Sequence, residues 1–280
     1  MTPSDPDTEN LTRKQRRDQA REQRKAQEEA QVATAARRRR MMQLGGVVAA
    51  VIVVIVVIVI ATSGSKNPTT ETHTPTNTSA KNAAVSTVEG ELNGIPQNGN
   101  VLGNPKAPVT MQYFGDLECP YCRLFTLTAL PDIIKNEVRT GKLKIEYKSM
   151  ETATRNPPVF LVQQSAAYAA GDQNKAWYFI ELFYNEQGKE DSGYVNEKYL
   201  TGLAEQVPGL NLGQWHQDRK SQSQALETEV LTDEKESREV GFEGTPSFML
   251  GKTGQKLKPF SSTSLESSSA FEPTINELAS

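Results

Sequence analysis

The chain has 280 residues, 31 Lys/Arg against 34 Asp/Glu, a formal charge of -3 and two cysteines. That balance gives no basic excess, and no nucleic-acid partner is expected. A closed zinc site needs four ligands; with two thiols, and histidines only at His73 and His216, no metal site is expected.

The even average hides an asymmetry. Residues 1–43 hold eleven Lys/Arg against seven Asp/Glu, net +4, so the remainder carries -7. The stretch "TRKQRRDQAREQRKAQEEAQ" has many helix formers but no apolar face. It reads as a solvated cytoplasmic basic tail rather than a binding arm. Residues 44–61, "LGGVVAAVIVVIVVIVIA", then run eighteen positions without a charge. A helix of that length spans roughly 27 Å, close to a bilayer's hydrocarbon thickness. No ordinary core strand runs so far, and in lipid a helix is the only single segment that pairs its own backbone. "RRRR" precedes the run, whereas "TSGSKNP" after it carries one Lys. The positive-inside rule therefore puts the N-terminus in the cytoplasm and everything beyond Thr62 outside. The apolar run is too long for a signal-peptide core, so a single uncleaved anchor is expected. Residues 62–87 are rich in Thr, Asn and Ser and read as a disordered polar linker, in which His73 needs no role.

Residues 88–280 suffice for one single-core domain. "APVTMQYF", ended by "GD", predicts a strand over 107–114. "CPYCRLFTLTALPDIIKNEVRTG" predicts a helix with Pro120 just inside its start, a kink at Pro131 and a stop at Gly141. "KLKIEYKSM" alternates at Leu143, Ile145 and Tyr147, a second strand, making a right-handed βαβ unit. A helical insertion follows over about 156–240, opened by Asn156 as N-cap and Pro157 at the first helical position. Trp177, Ile180 and Phe183 recur on one face, which predicts core packing rather than a substrate groove. His216 stands alone and is expected at the surface. "PSFMLG", "KTGQ" and "KLKPF" then predict an antiparallel hairpin, and Phe271, Ile275 and Leu278 a closing helix.

Both cysteines lie in "ECPYCR". A structural staple gains little by closing so short a loop, since disulfide stabilisation grows with loop length. A redox pair fits better. Cys119 at the N-cap faces unpaired N–H groups and the positive end of the helix dipole, which favour its thiolate. One turn later, Cys122 can reach that sulfur and resolve a mixed disulfide.

"GIPQNGNVLGNPKAPVTMQYFGDLECPYCRLF", together with "GFEGTPSFMLG", resembles the bacterial DsbA-like thiol–disulfide oxidoreductases over residues 88–280. The resemblance implies an α/β, thioredoxin-like fold with a helical insertion. It implies Cys119 as exposed nucleophile, Cys122 as buried partner, and a cis Thr245–Pro246 peptide that holds an extended substrate segment. It further implies reduced secreted or cell-envelope proteins as substrates, a quinone-linked membrane protein that reoxidises the pair, and no cofactor. No dimerisation domain is visible, so a monomer is expected. A reductase or isomerase kept reduced by a membrane donor, or a non-redox chaperone module, are the alternative readings.

Two departures from that family stand out. The dipeptide is Pro120–Tyr121 rather than one with histidine, and Glu118 adjoins the nucleophile. A neighbouring carboxylate raises a thiol pKa, which predicts a mild oxidant of about -200 to -230 mV. The buried acid often found six residues before the first cysteine is replaced by Tyr113. Asp116 and Glu118 are nearer candidates for pKa tuning, set against the simpler expectation that both are solvated loop acids.

Overall fold

The computed structural model describes residues 78–280, which fall within one compact unit, Thr72–Ser280. The expected basic tail and membrane span lie outside the described residues. Among those described, no helix is long and apolar enough to cross a membrane.

Six strands form one mixed sheet in the order β1-β2-β4-β3-β5-β6. β3 (Val109–Gly115) and β4 (Leu143–Ser149) pair in parallel, Val109 opposite Leu143 and Gly115 opposite Ser149. On the other side of β3, β5 (Ser247–Lys252) runs antiparallel and leads through a hairpin to β6 (Lys258–Phe260). The expected β-pattern segments are thus present, and β3 lies between two partners. Met111 and Tyr113 are buried while Thr110 and Gln112 between them are half-buried, and only at Phe114 and Gly115 do both faces of β3 become covered.

The βαβ crossover is broken into pieces. α2 (Pro120–Leu127) ends at Thr128, and α3 (Ala129–Ile133) runs into a π-helical turn, Ile134–Val138. Pro131 lacks an N–H, and its ring crowds the carbonyl four residues back, at Leu127. The strain is relieved at Thr128, where φ is -125° and ψ -69°, three residues before the proline. The Thr128 hydroxyl donates to the Leu124 and Leu265 carbonyls at 2.6 and 3.1 Å, which holds the bend.

The insertion is five helices: α4 (Pro157–Gly171), α5 (Ala176–Asn185), α6 (Glu197–Ala204), α7 (Leu212–Ser221) and α8 (Ser223–Val240). In α5 every residue from Ala176 to Tyr184 is buried, so the helix is enclosed on all sides rather than striped. Trp177, Ile180 and Phe183 belong to the core as expected, each side chain stabilising the fold by roughly 1.5–3 kcal/mol. His216 is exposed. α9 (Glu272–Ala279) closes the chain and buries Ile275.

Two N-terminal elements differ from expectation. α1 (Thr78–Leu92) begins inside the stretch assigned to the linker. Its sequence is polar, yet Val85, Val88 and Leu92 at i, i+3, i+7 give it an apolar edge, and the last two are fully buried. Packing against α5 supplies what the composition lacks. β1 (Gln97–Asn98) and β2 (Val101–Leu102) form a hairpin whose turn contains Gly99 at φ 59°. Trp177 Nε1 donates to the Asn100 carbonyl at 2.8 Å and fixes that turn against α5.

α8 determines where the chain re-enters the sheet. Its buried face carries Leu226, Val230, Asp233, Glu234 and Ser237. Gly241 at φ 85° ends it, with Phe242 N–H donating to the Ser237 carbonyl at 3.0 Å. Only a residue without a Cβ takes that left-handed turn cheaply. Asp233 accepts from Ser149 N–H at 3.1 Å and from the Tyr168 hydroxyl, and pairs with Lys148 Nζ at 2.9 Å. Glu234 accepts from Glu151 N–H at 2.7 Å. The segment after β4 is therefore held to the helix that delivers Thr245 and Pro246.

Candidate active site

β3 ends at Gly115, and four residues later Cys119 caps α2 with extended backbone, φ -72° and ψ 121°. Pro120 occupies the first helical turn, where its missing N–H costs nothing. Both cysteines are free thiols. Cys122 is fully buried, and Cys119 is only 4% exposed. That corrects the expected exposed nucleophile. Thr245 stands against the sulfur, whose S–H donates to the Thr245 carbonyl at 3.4 Å. Gln187 Nε2 donates to the Leu117 and Cys119 carbonyls at 2.7 and 3.1 Å and draws the loop inward. The exposed surface of the motif is Pro120 and Tyr121, the latter 62% exposed. The Thr245–Pro246 peptide is cis.

The Cys119 thiol is lowered from an ordinary 9.0 to about 6. The largest cause is a hydrogen bond from the Cys122 thiol, opposed by burial and assisted by the Thr245 side chain and the N–H groups of Cys122 and Tyr121. The helix terminus thus contributes as expected, but its neighbour thiol contributes more. Cys122 is pushed well up, first by burial and then by its bond to Cys119 and that sulfur's charge. The pair is polarised: one sulfur holds charge readily and the other holds a proton.

The largest influences on Cys119 are Cys122, burial, Thr245 and the Tyr121 N–H, ahead of Glu118. Glu118 is buried, not solvated, and burial pushes its own carboxyl up, with the Asp116 charge adding to that effect. Asp116 is also fully buried. Its Oδ2 accepts three consecutive backbone N–H groups, Thr152, Ala153 and Thr154, at 2.9, 2.8 and 2.9 Å. Its Oδ1 accepts from Glu118 N–H at 3.0 Å and the Thr154 hydroxyl at 2.6 Å. Gln163 Nε2 reaches Oδ1 at 3.5 Å. Asp116 is an anchor for two loops, because a buried carboxylate must be satisfied and six donors converge on it.

Behind Cys122 the wall is aromatic. Tyr113 is fully buried, its hydroxyl 3.3 Å from that of Tyr184, and its ring packs edge-on to Phe125 and Tyr147. Burial, then the nearby Cys122 charge, pushes its phenol well above the usual range, so no carboxylate stands at that position to relay protons. The rings meet because residue 115 is glycine. A Cβ there would lie 2.9 Å from Tyr147, 3.1 Å from the Tyr184 hydroxyl and 3.2 Å from Tyr113.

The structure brings Cys119, Cys122 and Thr245 together, with Pro246 cis beside them. Sequence reasoning missed Gln187 and Thr152, whose hydroxyl lies 2.5 Å from that of Thr245. The run "TATRNPP" after β4 was the available signal: threonines before a capped helix mark a loop that makes hydrogen bonds. Among the described residues, no group of three or more His, Cys, Asp or Glu side chains gathers to hold a metal ion.

Residues 96–265 match the Thioredoxin_4 family, described as thioredoxin. The chain is 26% identical over 147 residues to a probable disulfide bond formation protein D of Bacillus anthracis, covering 52% of this chain and 66% of that protein. That is just under two thirds of the relative's length. The crystal structure of oxidised BdbD from Bacillus subtilis superposes with a TM-score of 0.54 at 19% identity, covering 66% of this chain and 97% of that one. α-DsbA1 of Wolbachia pipientis gives 0.53 at 18% identity, covering 67% and 92%. These two likenesses show the fold.

Proposed function

The chain belongs to the thioredoxin family, and from that premise we propose that it is a thiol–disulfide oxidoreductase which forms or exchanges disulfides in secreted proteins. The observation that carries this reading is the polarised pair: a Cys119 thiolate stabilised to about 6 beside a Cys122 thiol pushed well up. In the oxidised enzyme a client thiolate attacks the Cys119 sulfur, the Cys119–Cys122 bond breaks, and Cys122 leaves and takes up a proton. A second client thiolate then attacks the client's sulfur in the mixed disulfide and expels Cys119 as thiolate. The client gains a disulfide and the pair gains two electrons. A low pKa makes Cys119 the better leaving group, and stabilising the reduced pair drives transfer toward the client.

The same proposal places residues 44–61 as a single-pass anchor with the N-terminus cytoplasmic and the catalytic domain extracytoplasmic, acting as a monomer. The apolar run and the arginines before it support this. By analogy with the DsbA-like oxidoreductases that the motif resembles, a membrane partner of the quinone-linked kind would reoxidise the pair. Tyr121 and the Thr245–Pro246 segment would form the rim that receives an extended client.

The test uses the full-length oxidised protein in detergent, mixed with a reduced, unfolded test protein. Disulfides should appear in the test protein at the expense of the pair. Cys119→Ser should abolish transfer, and full transfer by that variant would sink the proposal. Equilibration against glutathione should give a potential between thioredoxin's about -270 mV and the about -120 mV of the strongest oxidants. A value at the thioredoxin end would make the domain a reductant.

A further inference from the structure

Two loops meet over Cys119, and a pair of hydroxyls joins them, Thr152 Oγ1 to Thr245 Oγ1 at 2.5 Å. Thr152 is not free to choose that position. Its own N–H and the next two in sequence all end on one oxygen of buried Asp116, at 2.9, 2.8 and 2.9 Å. The residue before it is held from the other side, Glu151 N–H donating to Glu234 Oε2 at 2.7 Å. Four consecutive peptides are thus fixed by two carboxylates from different elements. The side chain this frame presents to the redox centre is the Thr152 hydroxyl.

We propose that Thr152 is a positioning residue of the redox centre, its hydroxyl donating to Thr245 Oγ1 so that the single Thr245 hydroxyl proton is turned toward the Cys119 sulfur.

Counting protons gives the direction. Each hydroxyl has one proton and two lone pairs. In the thiol state the Cys119 S–H donates to the Thr245 carbonyl at 3.4 Å, and the Thr245 hydroxyl is under no demand from the sulfur. When the sulfur ionises, its proton leaves to solvent and the anion becomes an acceptor. Thr245 can satisfy it only by giving up its one proton in that direction, which leaves its oxygen to accept from Thr152. Two hydroxyls in series polarise one another, so the second strengthens what the first donates. The proposal rests on Cys119 being the working thiolate. It adds that the segment after β4, which does not touch the sulfur, sets how readily that thiolate forms.

The test is a titration of the Cys119 thiolate by its ultraviolet absorbance, in full-length reduced protein in detergent. Thr152→Val keeps the shape and removes the hydroxyl; Thr152→Ser keeps the hydroxyl. Thr152→Val should raise the Cys119 pKa by about half a unit or more, with Thr152→Ser within error of wild type. Thr245→Val should raise it at least as far, and the double Val variant no further than Thr245→Val alone, because one chain is cut twice. Thermal unfolding of the oxidised forms separates a loss of packing from a loss of orientation. A Thr152→Val pKa equal to wild type overturns the proposal, as does an equal rise in Thr152→Ser. Because the titration needs no client, it can fail while disulfide transfer stands, and succeed while transfer fails.

Discussion

Replacing Cys122 by alanine should leave a slower nucleophile at Cys119, against the intuition that removing a resolving thiol only traps the intermediate. The Cys122 thiol makes the largest single contribution to holding Cys119 at about 6. A hydrogen bond to a charged acceptor is worth about 1.5–3 kcal/mol, and one pKa unit about 1.4 kcal/mol, so its loss amounts to roughly one to two units. Cys119 in the variant should then titrate between about 7 and 8, still below a free thiol because Thr245 and the helix N–H groups remain. At pH 6 the thiolate fraction should fall from about half to under about a tenth, by the same pKa arithmetic. Alkylation by iodoacetamide across pH 5–9 reads this directly, and Cys122→Ser, which retains a donor, should fall between the two. If Cys122→Ala titrates at or below the wild-type value, the partner thiol is not the principal donor and the reasoning is wrong.

Other perturbations follow from the same geometry. The folded pKa of Cys119 is depressed, so its contribution to the stability of the reduced protein is present above the unfolded thiol value and lost as pH falls through about 6. Chemical denaturation should therefore show the reduced protein losing stability relative to the oxidised protein between pH 9 and pH 6, and a constant difference would contradict the sign. Glu181 is fully buried on α5, and neither carboxyl oxygen has a partner among the described residues. Burial pushes it well above the carboxylate range, so it costs stability increasingly as pH rises beyond that range. Glu181→Met should stabilise by about 1–3 kcal/mol at pH 8 and by less at pH 4, read from denaturant midpoints. Asp233→Ala takes an acceptor from Ser149 N–H and the Tyr168 hydroxyl and one of three carboxylates from Lys148, which keeps Glu146 at 3.4 Å and Glu236 at 3.3 Å. It should cost about 1.5–3 kcal/mol, and a loss below about 1 kcal/mol would mean that the buried pair contributes little.

The sequence was most legible where chemistry and local geometry coincide. Cys119 and Cys122 are one helical turn apart with Pro120 between them, a spacing that puts both sulfurs at a helix start whatever the rest of the chain does. α4 and α5 were legible from Pro157 and from the density of aromatic and small residues, because a helix buried all round needs little from its neighbours to declare itself. α1 was not, since Val85, Val88 and Leu92 gain their meaning from α5, about ninety residues on. The two-residue strands β1 and β2 exist only through pairing, β1 with β2 and β2 with β4. Asp116 and Glu118 illustrate the same limit at the site. Acids in a loop read as solvated until the donors that surround them, three of them backbone N–H groups from residues 152–154, are known. The position of Tyr113 could be counted from the motif, but the meeting of Tyr113, Tyr147 and Tyr184 over Gly115 could not.

The grip of α8 on the end of β4 bears on how such a domain can change length. The insertion is five helices long, yet its last one fastens Lys148, Ser149 and Glu151 and then turns at Gly241 straight into the cis-proline segment. A shorter crossover, natural or engineered, could dispense with α6 and α7 and still pass the chain back to the sheet. One that removed α8 would unmoor the strand end and the client rim in a single cut. Divergence in this architecture should therefore accumulate in the middle of the insertion, while its final helix is inherited with the redox centre as one piece.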